Sequence, residues 1–207
     1  MRNNKAVVYT SSYDRGLQFL LTIWPEVKKE VPEAELHIYY GWQLFERFYK
    51  DNPERMAWMN EMNKMMEYDG ITHHGRVPQK EIIKEMEKYG IWAYPTPFYE
   101  ISCITAMKSQ ICGCVPVCTN FAALETTVQY GAKVDGDIYD PEVLEKFKQE
   151  LITMLKDEKK QEEIRKEILP KFKTELNNLK KSIKNEEQIK SSTSSKKNRR
   201  NNKYYTT

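Results

Sequence analysis

The sequence predicts an α/β fold: a single Rossmann-like parallel sheet with helices on both faces, followed by a helical C-terminal extension. Three observations predict it. Short apolar runs recur at residues 5–10 (KAVVYT), 35–40 (ELHIYY), 71–74 (ITHH), 91–94 (IWAY) and 115–117 (VPV). Longer stretches between them carry apolar residues at steps of three and four, the period of a helix face. Strand then helix, repeated about five times, is the order of a parallel sheet with crossover helices.

Residues 5–10 are β-branched and apolar and read as the first strand. Ser11-Ser12-Tyr13-Asp14-Arg15-Gly16 is a polar turn with capping residues. A helix follows to about Glu30, with Leu17, Leu20, Leu21, Trp24 and Val27 on one face, and Pro32 stops it. The second strand, 35–40, ends at Gly41-Trp42. Residues 43–68 are two helices split at Pro53, with a methionine stripe (Met56, Met59, Met62, Met65, Met66) that reads as core. Residues 71–74 are the third strand and 79–89 a helix. His73 and His74 are adjacent on a strand and point to opposite faces, so at most one faces a site.

The stretch 91–125 organises the chain. Residues 91–94 form a buried strand, and Pro95 and Pro97 break it. Ile101, Ile104, Met107 and Ile111 mark a helix face over 101–111, closed by Gly113. Residues 115–117 are the next strand, with a short helix near 122–126. The loop Phe98-Tyr99-Glu100-Ile101-Ser102 therefore lies between a strand's carboxyl end and a helix's amino end, where open α/β sheets bind ligands. Free amides and the helix dipole there favour phosphate, and Glu100 is an acceptor for sugar hydroxyls. Glu100 and Ser102 also suit helix capping. Residues 130–136 are rich in turns with room for one short strand, and Asp140-Pro141 starts a charged helical region. Its apolar residues Val143, Leu144, Phe147, Leu151, Met154 and Leu155 pack on the body, and Pro170 interrupts its later part.

The segment PTPFYEISCITAMKSQICGCVPVCTNFAALE resembles the donor-binding segment of GT-B glycosyltransferases of group 1, family 4-like, which carry an E-x7-E motif. The resemblance implies a C-terminal half of a GT-B fold, binding a nucleotide-diphosphate sugar as substrate with no cofactor and no metal. Glu100 matches the first Glu, which contacts the donor sugar in that family. The second Glu, a ribose contact, falls on Lys108, which donates but cannot accept. Eight helical residues rise about 12 Å, so the two positions touch different parts of an extended ligand. Ser11-Ser12-Tyr13-Asp14-Arg15-Gly16-Leu17 is similar to the family's phosphate-binding turn, which implies that Arg15 holds pyrophosphate, with Gly16 beside it. The second basic residue of many members has no counterpart over residues 9–12. The resemblance also implies base contacts from Arg76 and Val77 and donor contacts from Tyr99, Ile101 and Ser102. It covers roughly residues 5–135 and includes nothing of the N-terminal acceptor half. A second chain supplying that half is the implied partner; a degenerate, non-catalytic nucleotide-sugar module is the alternative.

Composition bounds the rest. No apolar run is long enough to cross a bilayer, and the first residues do not form a secretory signal, so a cytoplasmic protein is expected. Cys103, Cys112, Cys114 and Cys118 fit no common zinc spacing and read as buried thiols in a reducing compartment. Residues 156–207 hold 16 Lys or Arg against 8 Asp or Glu, whereas the preceding residues are net acidic. We expect three parts: residues 1–157 as the nucleotide-sugar domain, 158–188 as a charged helical extension and 189–207 as a disordered basic tail. The basic cluster 196–200 reads as solubilising rather than as a nucleic-acid site.

Overall fold

The computed structural model describes residues 1–172 together with Thr174, Asn177, Asn178 and Lys181. The expected tail, 189–207, lies outside the described residues. Six strands form one parallel sheet: β1 (Asn3–Tyr9), β2 (Glu35–Tyr39), β3 (Ile71–Gly75), β4 (Tyr89–Tyr94), β5 (Val115–Thr119) and β6 (Ala132–Val134). Their spatial order is β3-β2-β1-β4-β5-β6. The chain builds outward to one edge, then returns beside β1 and builds to the other. That reversal between β1 and β4 opens a crevice at the strands' carboxyl ends.

The helices are α1 (Leu17–Glu30), α2 (Gln43–Tyr49), α3 (Pro53–Met65), α4 (Gln79–Met86), α5 (Ile104–Ile111), α6 (Leu124–Thr127) and α7 (Pro141–Lys156). Strands β4 and β5 are buried along their whole length, as continuous apolar runs in a parallel sheet must be. The α1 stripe Leu17, Leu20, Leu21, Trp24 and Val27 is buried as expected. Helix α1 also carries Pro25 in its interior, at the loss of one backbone hydrogen bond. Met59, Met62 and Met66 are core. Asp140 caps α7 by accepting from Glu142 N at 2.9 Å, with Pro141 at the first helical position.

Four boundaries differ from expectation. Strand β4 starts at Tyr89, not residue 91, because Gly90 lies against β1: a Cβ on it would come within 2.7 Å of Asn4 Cα. Helix α4 accordingly ends at Met86. Helix α5 starts at Ile104, and residues 101–103 are loop. The last helix runs through Pro170, and the compact unit extends from Met1 to Pro170, past residue 157. Gln161, Arg165 and Ile168 are buried there, and Arg165 Nε donates to Gly113 O at 3.0 Å. Lys171–Thr207 is a separate unit whose described residues are helical.

His73 and His74 do point apart. Tyr13 Oη accepts from Gly41 N at 2.8 Å and shares a hydrogen bond of 2.7 Å with His73 Nε2. His74 stacks on Tyr39 and meets His37 Nδ1 at 3.0 Å.

Candidate functional site

The crevice between β1 and β4 is set by one close approach. Gly16 has φ +114°, and a Cβ there would lie 2.0 Å from Pro95 O. Only glycine allows the turn after β1 to touch the turn after β4. The consequence is that Arg15, from the first turn, reaches Glu100, from the second. Arg15 Nη1 donates to Glu100 Oε1 at 3.2 Å. The guanidinium also lies over the Phe98 ring, 3.9 Å from its centroid.

Glu100 is buried, with 7% exposure. A buried carboxylate needs partners. Besides Arg15, Tyr94 Oη donates to Oε1 at 2.7 Å. Tyr94 has one proton, so Ser11 Oγ, 3.2 Å away, donates to the tyrosine. Burial first, and Glu100 beside it, push the Tyr94 hydroxyl well above its ordinary range, so it stays a donor. Burial works against the Arg15 charge, but Glu100, with Tyr94 and Asp14, outweighs it and the Arg15 pKa is raised. Ser11, Arg15 and Glu100 border a cavity of about 200 Å³ that also touches Thr10, Ser12, Tyr40, Ser102 and the start of α5.

The structure brings Arg15, Gly16, Glu100 and Ser102 together. Because α5 begins at Ile104 with Cys103 before it, neither Glu100 nor Ser102 caps it. Lys108 lies one helix face away, where Nζ donates to Gln79 Oε1 at 2.5 Å. Gln79 opens α4 directly after Arg76, Val77 and Pro78. Lys108 is half-buried, and desolvation lowers its pKa. Arg76 is exposed, and its backbone packs against Gly41. Tyr99 turns away, edge-on to Phe121 with ring centroids 5.8 Å apart, and Ile101 is 91% exposed. Among the described residues, no three His, Cys, Asp or Glu side chains converge as a metal would require. All four cysteines are buried and outside any disulfide; burial pushes Cys114 up to about 11 and Cys118 up to about 12.

Sequence reasoning missed Thr10, Ser11, Tyr40, Tyr94 and Phe98. Tyr94 ends an apolar run and looks like core. Thr10 looks like the last residue of a strand, yet its Oγ1 is buried without a hydrogen-bond partner. Tyr40 has φ +143°, a conformation that strains a non-glycine residue, and it too borders the cavity.

Comparison with known proteins agrees with this geometry. Residues 4–157 match the family described as glycosyl transferases group 1. No curated protein sequence matches the chain. Among solved structures, the GtfA/B complex superposes with a TM-score of 0.61 at 14% identity, over 83% of this chain and 34% of that one. The pneumococcal O-GlcNAc transferase GtfA, in complex with UDP and GlcNAc, gives a TM-score of 0.55 at 16% identity, over 86% of this chain and 36% of that one. The catalytic domain of cholesterol-α-glucosyltransferase from Helicobacter pylori gives 0.56 at 12% identity, over 85% of this chain and 99% of that one. This chain thus spans about a third of the first of these proteins. Its sheet is one half of a GT-B fold.

Proposed function

The chain belongs to the glycosyl transferases of group 1, and we propose that it is the donor-binding half of such an enzyme. Its ligand is a nucleotide-diphosphate sugar, and it transfers the glycosyl group to an acceptor held by another half. The observation that carries this reading is the Arg15–Glu100–Tyr94 constellation at the switch point of the sheet.

In this reading Arg15 leaves Glu100 and takes the pyrophosphate through paired hydrogen bonds. Glu100, still held by Tyr94, accepts sugar hydroxyls through Oε2, the oxygen that neither group occupies. The unpartnered Thr10 hydroxyl donates to the same ligand. Arg15 and the amides at the start of α5 stabilise the leaving diphosphate, so that transfer needs no metal. Arg76 and Val77 line the base, and Lys108 meets the ribose as a donor. The exposed row Ile101, Ile104 and Met107 beside the crevice supports a second chain as the source of the acceptor half. Four buried cysteines outside any disulfide support a reducing compartment such as the cytoplasm.

Calorimetry against nucleotide sugars tests the donor site, beginning with UDP conjugates because UDP is bound in the pneumococcal GtfA structure. Arg15→Ala should weaken binding about tenfold or more at low salt and less at high salt. Glu100→Gln should weaken a UDP-sugar much more than UDP itself. Equal losses for both ligands would reduce Glu100 to a structural role. The second reading, a non-catalytic module, is favoured by Lys108, which puts a cation where a hydroxyl acceptor belongs. Donor binding without turnover, after an acceptor half is supplied, would select it.

A further inference from the structure

A second cavity, of about 400 Å³, lies at the carboxyl ends of β4, β5 and β6, outside the constellation just described. Its volume falls within the range of small-ligand sites, about 300–1,000 Å³. Its walls include Thr96, Asn120, Phe121, Asp137 and Tyr139. Two features of those walls are informative.

The first is aromatic. Tyr139 is 63% exposed and Phe121 37%. Each is nevertheless held edge-to-face. Tyr139 meets Phe19 of α1 with centroids 5.0 Å apart at 82°, and Phe121 meets Tyr99 at 5.8 Å and 84°. Such contacts restrict a ring's motion, and both rings keep part of their surface exposed. An aromatic face is electronegative and attracts the weakly positive C–H groups on the flat side of a sugar ring.

The second is electrical. No Lys or Arg lines the cavity, whereas Asp137 does, and Asp135 accepts from Asn120 Nδ2 at 2.7 Å. A phosphate would be repelled here. Hydroxyl groups would be welcome, since a carboxylate accepts from them. Asn120 Oδ1 has no hydrogen-bond partner but is buried out of a ligand's reach.

We propose that this cavity binds one neutral sugar ring, stacked on Tyr139 and Phe121 and hydrogen-bonded by Asp137. Thr96, in its wall, also leads into the Glu100 loop: Thr96 Oγ1 accepts from Phe98 N at 3.1 Å. The sugar site is separate from the donor site and does not rest on the donor reading, which gives the acceptor to another half.

The test is an NMR titration of the full chain with methyl glycosides of glucose, galactose and N-acetylglucosamine, and with the methyl glycoside of glucuronic acid as an anionic control. At least one neutral glycoside should shift the Phe121 and Gly136–Tyr139 amides saturably, at millimolar concentration. Tyr139→Ala should weaken that binding about tenfold, with UDP-sugar binding unchanged. The anionic glycoside should bind more weakly, by a margin that Asp137→Asn reduces. No saturable shift from any neutral glycoside would overturn the proposal, as would shifts that survive Tyr139→Ala in a variant whose thermal midpoint is unchanged. The glycosides carry no nucleotide. Failure here therefore leaves the donor reading standing, and failure with UDP-sugars leaves this site standing.

Discussion

Helices α1 and α5 begin at the same crevice and carry the same kind of apolar stripe, yet they bury opposite things. In α1 the stripe is the core: Leu17, Leu20 and Trp24 are fully buried, and α7 lies alongside, linked by the Lys156–Glu30 ion pair at 2.7 Å. In α5 the stripe faces out. Ile104 is 60% exposed and Met107 41%, whereas Ala106, Ser109 and Gln110 are buried. The physical reason lies in what α5 must reach. Small residues let it sit close to β5, and Gln110 ties it to the α6 turn, donating to Thr127 O at 2.9 Å and accepting from Gln129 N at 3.2 Å. Apolar periodicity thus shows that a helix has a face to bury, and not whether its own chain buries it.

The sharpest contrast is Leu20→Ala against Ile104→Ala. The first should cost about 2–5 kcal/mol in urea unfolding. The second should change stability by less than about 0.5 kcal/mol. Comparable losses would mean that the α5 stripe is packed within the chain after all. Next in size is Gln110→Ala, which removes the hydrogen bonds to Thr127 O and Gln129 N and should cost about 1–3 kcal/mol. A loss no larger than that of Ile104→Ala would show that the polar anchor does not hold α5.

The smallest effect lies outside both helices, on β3, and serves as their control. Partial desolvation lowers the pKa of His73 and of His74, both surface residues, and His37 adds to it at His74. Unfolding then takes up protons, so stability falls as pH drops below the ordinary histidine value of about 6.5. A His73→Asn, His74→Asn double variant should lose less thermal stability between neutral and mildly acidic pH than the parent does. An unchanged pH profile would assign the loss to the carboxylates.

The sheet was legible because parallel strands are buried on both faces, and their apolar runs stand out whatever packs on them. Boundaries slipped where a tertiary contact overrode local pattern: Tyr89, read as the end of the helix before β4, is a strand residue, as is Gly90, which is pressed against Asn4. The constellation was half legible. Arg15 and Glu100 lie 85 residues apart and were found through the family resemblance. Tyr94 was not, because a tyrosine that ends an apolar strand looks the same whether its hydroxyl meets solvent or a buried carboxylate. The second cavity left no sequence signal, since Phe121, Asp137 and Tyr139 become neighbours only when the β5 and β6 turns meet.

Thr10 carries a last consequence. Its side chain is 7% exposed and its Oγ1 has no partner, so the ligand-free fold bears the cost of a buried, unsatisfied hydroxyl. Thr10→Val keeps the shape and removes that cost. It should raise stability by about 1 kcal/mol while weakening the nucleotide sugar. A thermostability screen run without ligand would therefore enrich this change, and the variants it kept would be those that had given up part of their binding.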